Sequence, residues 1–594
     1  MKEILKQLIE KSAEKAGFSA SEVVFSIEHP ADLKNGDYSA NIAMVLAKEQ
    51  KQPPHDIAKK IAKELESILP DEIKKVEVAG QGFINFYLSP SFFKMSIKQI
   101  LNGEMDYGRN KNLAGKNILI EYTDPNPFKQ FHIGHLMSNA IGESIARLLE
   151  WNGADVKRVC YQGDVGLHVA KAIWAMEKSI EGDSNLPDFP ADSASVEEKA
   201  IYLSTVYTFG AKHYAEDEIA KSEIIKINMK VYELYDESKA NDDQHIVDLY
   251  NMGREWSLQH FDDLYAKLGT NFVQLLFESQ MSKAGIKIVS ENVPGVFEKS
   301  DGAIIYNGGK EGLHTRVFIN SLGLPTYETK DIGAAIYKED ELSKKLGDFD
   351  KSIIVTANEQ KEYFKVLLSA LSKLRPDIAQ KTAHISHGML RFADGKMSSR
   401  EGNTISGEGL ISETEQKVED KINSREADIK AISPEEKKEI KEIVAIGAIK
   451  YSILKQAIGK NIIYDLENSV SFDGDSGPYL QYTYTRAKSI VDRAIDEGIL
   501  FVDASPSENR TETDLERIIY RLPEEIESAY RDLAPQQLVT FVVKVCSEFN
   551  SYYASNQIID GTPEEAYKLS ITKATMHVIQ NTLKVLGIRV PEKM

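Results

Sequence analysis

Ile118-Leu119-Ile120, the connection Glu121-Tyr122-Thr123-Asp124-Pro125-Asn126-Pro127-Phe128-Lys129-Gln130-Phe131, and then His132-Ile133-Gly134-His135-Leu136 form the stretch on which the fold turns. An apolar run of strand length, a short polar connection and an amphipathic run to about Asn152 read as strand, loop and helix. Val156-Lys157-Arg158-Val159-Cys160-Tyr161 follows as a second strand. These lengths predict a βαβ unit in a doubly wound parallel sheet, which binds ligands beyond the carboxyl ends of its strands. A helix opening on His132-Ile133-Gly134-His135 offers an anion unpaired N–H groups and the positive end of a dipole. Gly134 has no Cβ, so a flat base can lie against backbone there. The two imidazoles can donate to phosphate oxygens as charge builds in a transition state. Two histidines three apart on a helix equally suit half a metal site or a pair of satisfied buried polar groups. The motif alone leaves these readings open.

Far downstream, Asp394-Gly395-Lys396-Met397-Ser398-Ser399-Arg400-Glu401-Gly402-Asn403-Thr404 is a glycine-bracketed polar loop. Lys396 and Arg400 are cations suited to a triphosphate, and the glycines leave the loop conformationally free. By itself such a run also suits a solvated surface turn. In this order behind the histidine element, it resembles the second of the two signature motifs of class I aminoacyl-tRNA synthetases. That family joins an amino acid to ATP and then to tRNA.

At 594 residues the chain is too long for one core, and three or four domains are expected. Hydrophobic content of 42% with 27% charged residues is that of a soluble globular protein rather than a fibrous or disordered one. No apolar run approaches the roughly 20 residues of a membrane span. The start, Met-Lys-Glu-Ile-Leu-Lys-Gln-Leu-Ile-Glu, alternates charged and apolar residues without a secretory core, so an amphipathic helix and a cytoplasmic protein are expected. Cys160 and Cys546 stand far apart in apolar surroundings and read as small core residues; with no spaced Cys/His set, no structural metal is expected. The net charge of −19 does not suggest an RNA partner, but it leaves room for a local basic face.

Three regions follow from the patterning. Residues 1–110 read as an α+β domain, with strands at Val76-Glu77-Val78 and Gly82–Leu88 and a polar segment containing Gly36-Asp37-Tyr38. Residues 111–430 read as the doubly wound domain, with an acidic helical insertion at about 185–260. Its sheet pattern returns at Ala303–Tyr306, Arg316–Ile319 and Ser352–Val355. Residues 431–594 read as an all-α helix bundle. The bundle opens on Ser433-Pro434-Glu435-Glu436, which offers an N-cap, a proline at the first helical position and a capping box.

Within class I the details are similar to arginyl-tRNA synthetases over almost the whole chain. The acid, the Pro-Asn step and the lysine before the histidines match, as does Pro325-Thr326-Tyr327-Glu328-Thr329-Lys330-Asp331. So do Ser476-Gly477-Pro478-Tyr479-Leu480-Gln481-Tyr482 with Arg486, and the ending Leu586-Gly587-Ile588-Arg589-Val590-Pro591-Glu592-Lys593-Met594. The resemblance implies a Rossmann-like catalytic domain between a tRNA-contacting N-terminal domain and a helical anticodon-binding domain. It also implies a monomer without DNA or membrane partners. Its substrates would be L-arginine, ATP with Mg²⁺, and tRNA(Arg), and arginine activation would require bound tRNA.

The resemblance assigns ATP to His132, Gly134, His135, Asp164, Met389, Lys396, Met397 and Ser398, with His132, His135, Lys396, Arg400 and Lys129 acting in catalysis. It assigns arginine to Glu121, Asp124, Asn126, Tyr327, Asp331 and Gln360, since a guanidinium fork pairs best with carboxylates. It assigns tRNA to Asn85, Phe86, Tyr479, Tyr482 and Arg486, although aromatics at helical spacing are more often core.

The chain also departs from the family pattern. Ser399 replaces the loop's usual second lysine, and Lys129 resembles the upstream lysine that supplies the charge. Val165 stands for a common tryptophan, Met137 for an arginine, and Tyr363 for a frequent histidine. A cysteinyl or glutamyl enzyme, a nucleotidylyltransferase and a non-catalytic tRNA-binding relative are the rivals. The absent zinc set argues against the cysteinyl enzyme, the C-terminal motifs against both synthetases, the extra domains against the transferase, and the intact His132, His135 and Lys396 against the last.

Overall fold

The computed structural model describes residues 1–20, 23–235, 243–393, 406–424, 433–501, 504–506 and 510–594. The chain divides into two compact units, one of 1–108, 483–525 and 541–582, the other of 109–482, 526–540 and 583–594. Among the described residues no helix is long and apolar enough to cross a membrane.

The first unit is built on a four-stranded antiparallel sheet ordered β1-β2-β4-β3, from β1 (Ile27–Glu28), β2 (Tyr38–Ala40), β3 (Ile73–Ala79) and β4 (Phe83–Leu88). Helices α1 (Lys2–Lys15), α2 (Ile42–Gln50) and α3 (Pro54–Glu66) bury apolar stripes against it, and α4 (Pro90–Gly103) follows. In α3 the stripe is Ile57, Ile61 and Leu65, at four-residue spacing. Gly36-Asp37-Tyr38 ties this sheet to the helical part of the same unit. Gly36 is left-handed, and a Cβ there would lie 2.7 Å from the Phe86 carbonyl oxygen. Asp37 accepts from Arg517 Nε at 2.8 Å and from the Leu88 amide at 2.9 Å, and Tyr38 donates to Glu524 at 2.7 Å.

The second unit holds a five-stranded, wholly parallel sheet from β5 (Asn117–Glu121), β6 (Asp155–Gln162), β7 (Gln274–Phe277), β11 (Lys351–Ala357) and β12 (Thr382–His387), ordered β12-β11-β5-β6-β7. Helix α5 (Ile133–Trp151) connects β5 to β6. The chain then winds outward to β7 and returns to β11 on the other side of β5. The crevice expected of such sheets therefore lies at the end of β5. Helices α6 (Leu167–Ile180), α7 (Val196–Glu216), α8 (Glu218–Glu233) and α9 (Gln244–Leu268) pack around their own apolar core, and α10 (Glu278–Glu291) follows β7 directly.

One sequence expectation is corrected here. Ala303–Tyr306 and Arg316–Ile319 do not join the parallel sheet. With β8 (Glu298–Ser300) they form β9 and β10 of a separate antiparallel sheet, because short hairpin connections cannot make parallel crossovers. Beyond it come α11 (Tyr327–Tyr337), α12 (Ser343–Leu346), α13 (Lys361–Leu374) and α14 (Pro376–Lys381). Next, β13 (Leu390–Phe392) pairs with β14 (Ile462–Tyr464), and α15 (Gly407–Ser424) and α16 (Pro434–Leu454) pack together. The capping box of α16 is formed: Ser433 Oγ accepts from the Glu436 amide, and Glu436 accepts from the Ser433 amide. Both cysteines are buried and unpaired with one another.

Candidate active site

His132 is the N-cap of α5, and its extended backbone lets the imidazole fold back on the first turn. Its Nδ1 accepts from the Gly134 amide at 3.1 Å, while Nδ1 of His135 accepts from the His132 amide at 3.2 Å. The two rings stack with centroids 3.5 Å apart. This reciprocal cap fixes both tautomers, since a ring nitrogen that accepts leaves Nε2 to carry the proton. Burial, then the Lys129 charge, pushes His132 down to about 4. Burial, then His132, also holds His135 well below the usual imidazole range. Both rings are thus neutral at pH 7, each with one N–H to donate.

Ser406 and Gly407, the first described residues after the cationic loop, lie against this helix tip. Ser406 pairs with His132 in an antiparallel bridge, and the Gly407 amide donates to the Phe131 carbonyl at 2.8 Å. Lys396, Met397, Ser398 and Arg400 lie outside the described residues. Met389 precedes β13, its carbonyl accepting from the Ile462 amide. Lys129 is half-buried with its ammonium 5.3 Å from the Tyr207 ring centre, and burial, with Lys171 nearby, lowers its pKa.

The acidic residues gather at strand and helix ends of the same unit. Glu121 ends β5, buried in an ion pair with Lys338. Expected as an acceptor for the substrate guanidinium, it already pairs with a cation in the ligand-free protein. Asp124, with a left-handed backbone, accepts from the Tyr161 amide at 2.7 Å, and burial followed by Glu121 raises its pKa. Asn126 accepts from the Gly163 amide at 3.2 Å. A Cβ on Gly163 would meet Asn126 Oδ1 at 2.3 Å and Glu278 Oε1 at 3.2 Å, so a larger residue there would displace the Asn126 side chain. Asp331 accepts from the Tyr363 hydroxyl at 2.5 Å, and burial raises it to about 7. Tyr327 is exposed with its ring centre 4.5 Å from Lys330 Nζ, and Gln360 is exposed just before α13.

Sequence reasoning missed Glu278 and Lys338. Glu278 opens α10, buried and ion-paired with Lys330. The signal that marked Glu121, an acid closing an apolar strand, was present in Leu275-Leu276-Phe277-Glu278.

Other expected site residues stand elsewhere. Asp164 is fully buried and occupied: it accepts from Ser279 N and Oγ at 2.9 and 2.8 Å, and from Tyr250 and Arg254, both at 3.1 Å. It ties the end of β6 to α9 and α10. Asn85 and Phe86 lie in β4, with Phe86 in the core and Asn85 buried, accepting from Ser39 Oγ at 2.7 Å. Tyr479 and Tyr482 are half-buried at the start of the helix Gly477–Asp496. Arg486, later in that helix, bonds Asn550 and lies 5.2 Å from the Tyr553 ring centre. Tyr484, Phe549 and Tyr552 are core.

Three family models match the chain: tRNA synthetases class I (R), catalytic domain, over 96–466; the arginyl tRNA synthetase N terminal domain over 3–88; and the DALR anticodon binding domain over 480–594. The chain is 30% identical to the arginine–tRNA ligase of Clostridium botulinum, covering 96% of each. It is 31% identical to that of Lactobacillus delbrueckii subsp. bulgaricus, covering 97% of each. Its fold is similar to Thermus thermophilus arginyl-tRNA synthetase, with a TM-score of 0.76 at 21% identity over 100% of both chains. A helix tip capped by paired neutral imidazoles, a parallel sheet with acids at its ends, and these matches over nearly all of its length make the chain a member of the arginyl-tRNA synthetase family.

Proposed function

We propose that the chain is an arginine–tRNA ligase whose chemistry runs at the tip of α5 and in the acidic cleft beside it. L-arginine reacts with ATP to give arginyl-adenylate and pyrophosphate, and the terminal ribose hydroxyl of tRNA(Arg) then takes the arginyl group, releasing AMP. The observation that carries this reading is the charge of the cleft. Four carboxylates, Glu121, Asp124, Glu278 and Asp331, act on one another there, while Lys330 and Lys338 pair with only two. A substrate with a guanidinium and an α-ammonium supplies the two missing cations, whereas a neutral side chain leaves buried carboxylates uncompensated.

In the first step the arginine carboxylate attacks the α-phosphorus in line with the departing pyrophosphate, and negative charge builds on the phosphate oxygens. The Nε2–H groups of His132 and His135 donate to those oxygens. Being neutral and held by the backbone, they need no reorganisation as charge develops. Lys396 and Arg400 neutralise the leaving pyrophosphate, with Mg²⁺ entering as part of the ATP substrate, and Lys129 adds a cation beside His132. Asn126, Tyr327 and Gln360 orient the amino acid. The C-terminal helical region 431–594 engages the anticodon arm, with Tyr479, Tyr482 and Arg486 as candidate contacts.

Pyrophosphate exchange into ATP tests the reading, with each amino acid supplied separately, with and without tRNA. Arginine alone should support exchange, and only with tRNA present. Exchange driven by another amino acid, or none with fresh cognate tRNA, would reject it.

A further inference from the structure

Lys338 is an anomaly by burial. Its side chain is 6% exposed and that of its partner Glu121 is 5% exposed. A buried ammonium is expensive unless a carboxylate compensates it. It lies just past α11, seven residues beyond Asp331 and four beyond Ala334, so all three share one helix face. Ala334 packs with Leu119 of β5 and Val159 of β6, which draws that face under the strand ends. At Lys338 the helix widens into one π turn, Lys338–Leu342, a local irregularity that re-aims a side chain and recurs at functional sites.

We propose that Lys338 is a specificity-determining positioning residue of the arginine cleft, a resident cation that fills Glu121 and leaves Asp124 and Asp331 as the open acceptors. This rests on the arginine-ligase reading and deepens it. With Glu121 open, the cleft would hold a third uncompensated carboxylate, which the flexible primary ammonium of lysine or ornithine could satisfy as a point charge. With Glu121 filled, a substrate ammonium reaching that corner meets a like charge, so the cleft selects against lysine by repulsion as well as for the guanidinium fork by attraction. Lys338 also acts on the open acceptors, its charge favouring ionised Asp124 and Asp331 against the contrary effects of burial and Glu121.

Lys338→Ala tests this through tRNA-dependent ATP–pyrophosphate exchange on arginine, lysine and ornithine, with the wild-type enzyme alongside. The expected result is a KM for arginine raised at least about tenfold with a smaller change in kcat, since the lost cation serves binding more than the chemical step. Arginine-over-lysine selectivity should fall. Ethylammonium should restore the arginine KM by occupying the vacated corner, while tetramethylammonium at equal ionic strength should not, and Lys338→Arg should stay near wild type.

An unchanged arginine KM, or a folded variant that ethylammonium leaves unaltered, overturns the proposal. Should the single variant fail to fold, Glu121→Gln/Lys338→Met removes both charges together. This pair should bind arginine better than Glu121→Gln alone, and equal or weaker binding also overturns the proposal. A wild-type enzyme that shows no arginine-dependent exchange counts instead against the ligase reading.

Discussion

Tyr363 donates its hydroxyl to Asp331 over 2.5 Å, tying α13 to α11 inside the acidic cleft. Burial raises Asp331 to about 7, and this hydrogen bond works in the opposite direction. As pH falls through about 7 the carboxylate takes up a proton that a substrate cation must displace. The KM for arginine should therefore rise below pH 7, by at most about tenfold per pH unit from this group, and level off above it. For the ligand-free protein the same shift has the other sense. The folded state holds the proton more tightly than the unfolded chain, so stability from this group is lost as pH climbs from about 4 toward 7. Tyr363→Phe should raise the arginine KM at pH 7 by about fivefold, one hydrogen bond's worth, and move the acid limb upward. A KM flat from pH 5.5 to 8.5 would remove Asp331 from the arginine contacts.

The two cap histidines separate stability from catalysis. His132→Ala removes the acceptor for the Gly134 amide and should cost about 1 kcal/mol of stability. His132→Asn supplies an oxygen in its place and should melt near the wild-type temperature. Both should lower kcat by about 10²–10³-fold, the usual effect of losing one preorganised donor. With His132 pushed down to about 4, no histidine limb from this residue should appear in kcat between pH 6 and 8. Wild-type turnover in His132→Asn would exclude the imidazole from phosphate binding.

What the sequence disclosed follows from how local each signal is. β5, α5 and β6 were legible because apolar runs and a helix opening carry their own punctuation. β7 was not, because Gln274–Phe277 runs straight into α10, nor was β12, because Thr382-Ala383-His384-Ile385-Ser386-His387 intersperses polar residues with its apolar ones on an edge strand. β9 and β10 read correctly as strands, but the text of a strand does not say which sheet it joins. Side-chain occupancy was the least visible property. Glu121 announced itself as an acid at a strand end, yet its partner Lys338 sits in Lys338-Glu339-Asp340-Glu341, indistinguishable from a solvated charge run. Phe86 likewise packs into the core of the first unit while Asn85, on the opposite face of β4, is buried by other contacts, which the text of the strand does not disclose.

Asp164 offers a contrast with the residues that face substrate. Four donors converge on its buried carboxylate, including the Arg254 guanidinium and the Ser279 amide. Asp164→Asn cannot accept from all of them and turns a buried ion pair into an unpaired guanidinium. A loss of about 2–4 kcal/mol is expected, read as a fall in melting temperature. The KM for ATP should change less than twofold in the fraction that remains folded. A large ATP effect with unchanged melting would return Asp164 to the nucleotide site.

The position of Glu278 depends on how closely α10 approaches α11, and glycine sets that distance. A Cβ on Gly285 would stand 2.0 Å from the Thr329 carbonyl oxygen, and one on Gly333 would stand 2.2 Å from that of Met281. Both obstacles are backbone, so neither can yield by a rotamer change, and the helices must part. Gly285→Ala should cost on the order of 2–4 kcal/mol, as overpacking against a rigid neighbour does. By moving Glu278 and Lys330 relative to one another it should also raise the KM for arginine more than that for ATP. Gly295→Ala is the matched control, because its nearest contact is 3.4 Å away at the Asn292 carbonyl oxygen. Its melting temperature and arginine KM should stay close to wild type. Equal melting of the two variants would mean that the α10–α11 contact yields without cost, and that the cleft is not held to shape by this pair of helices.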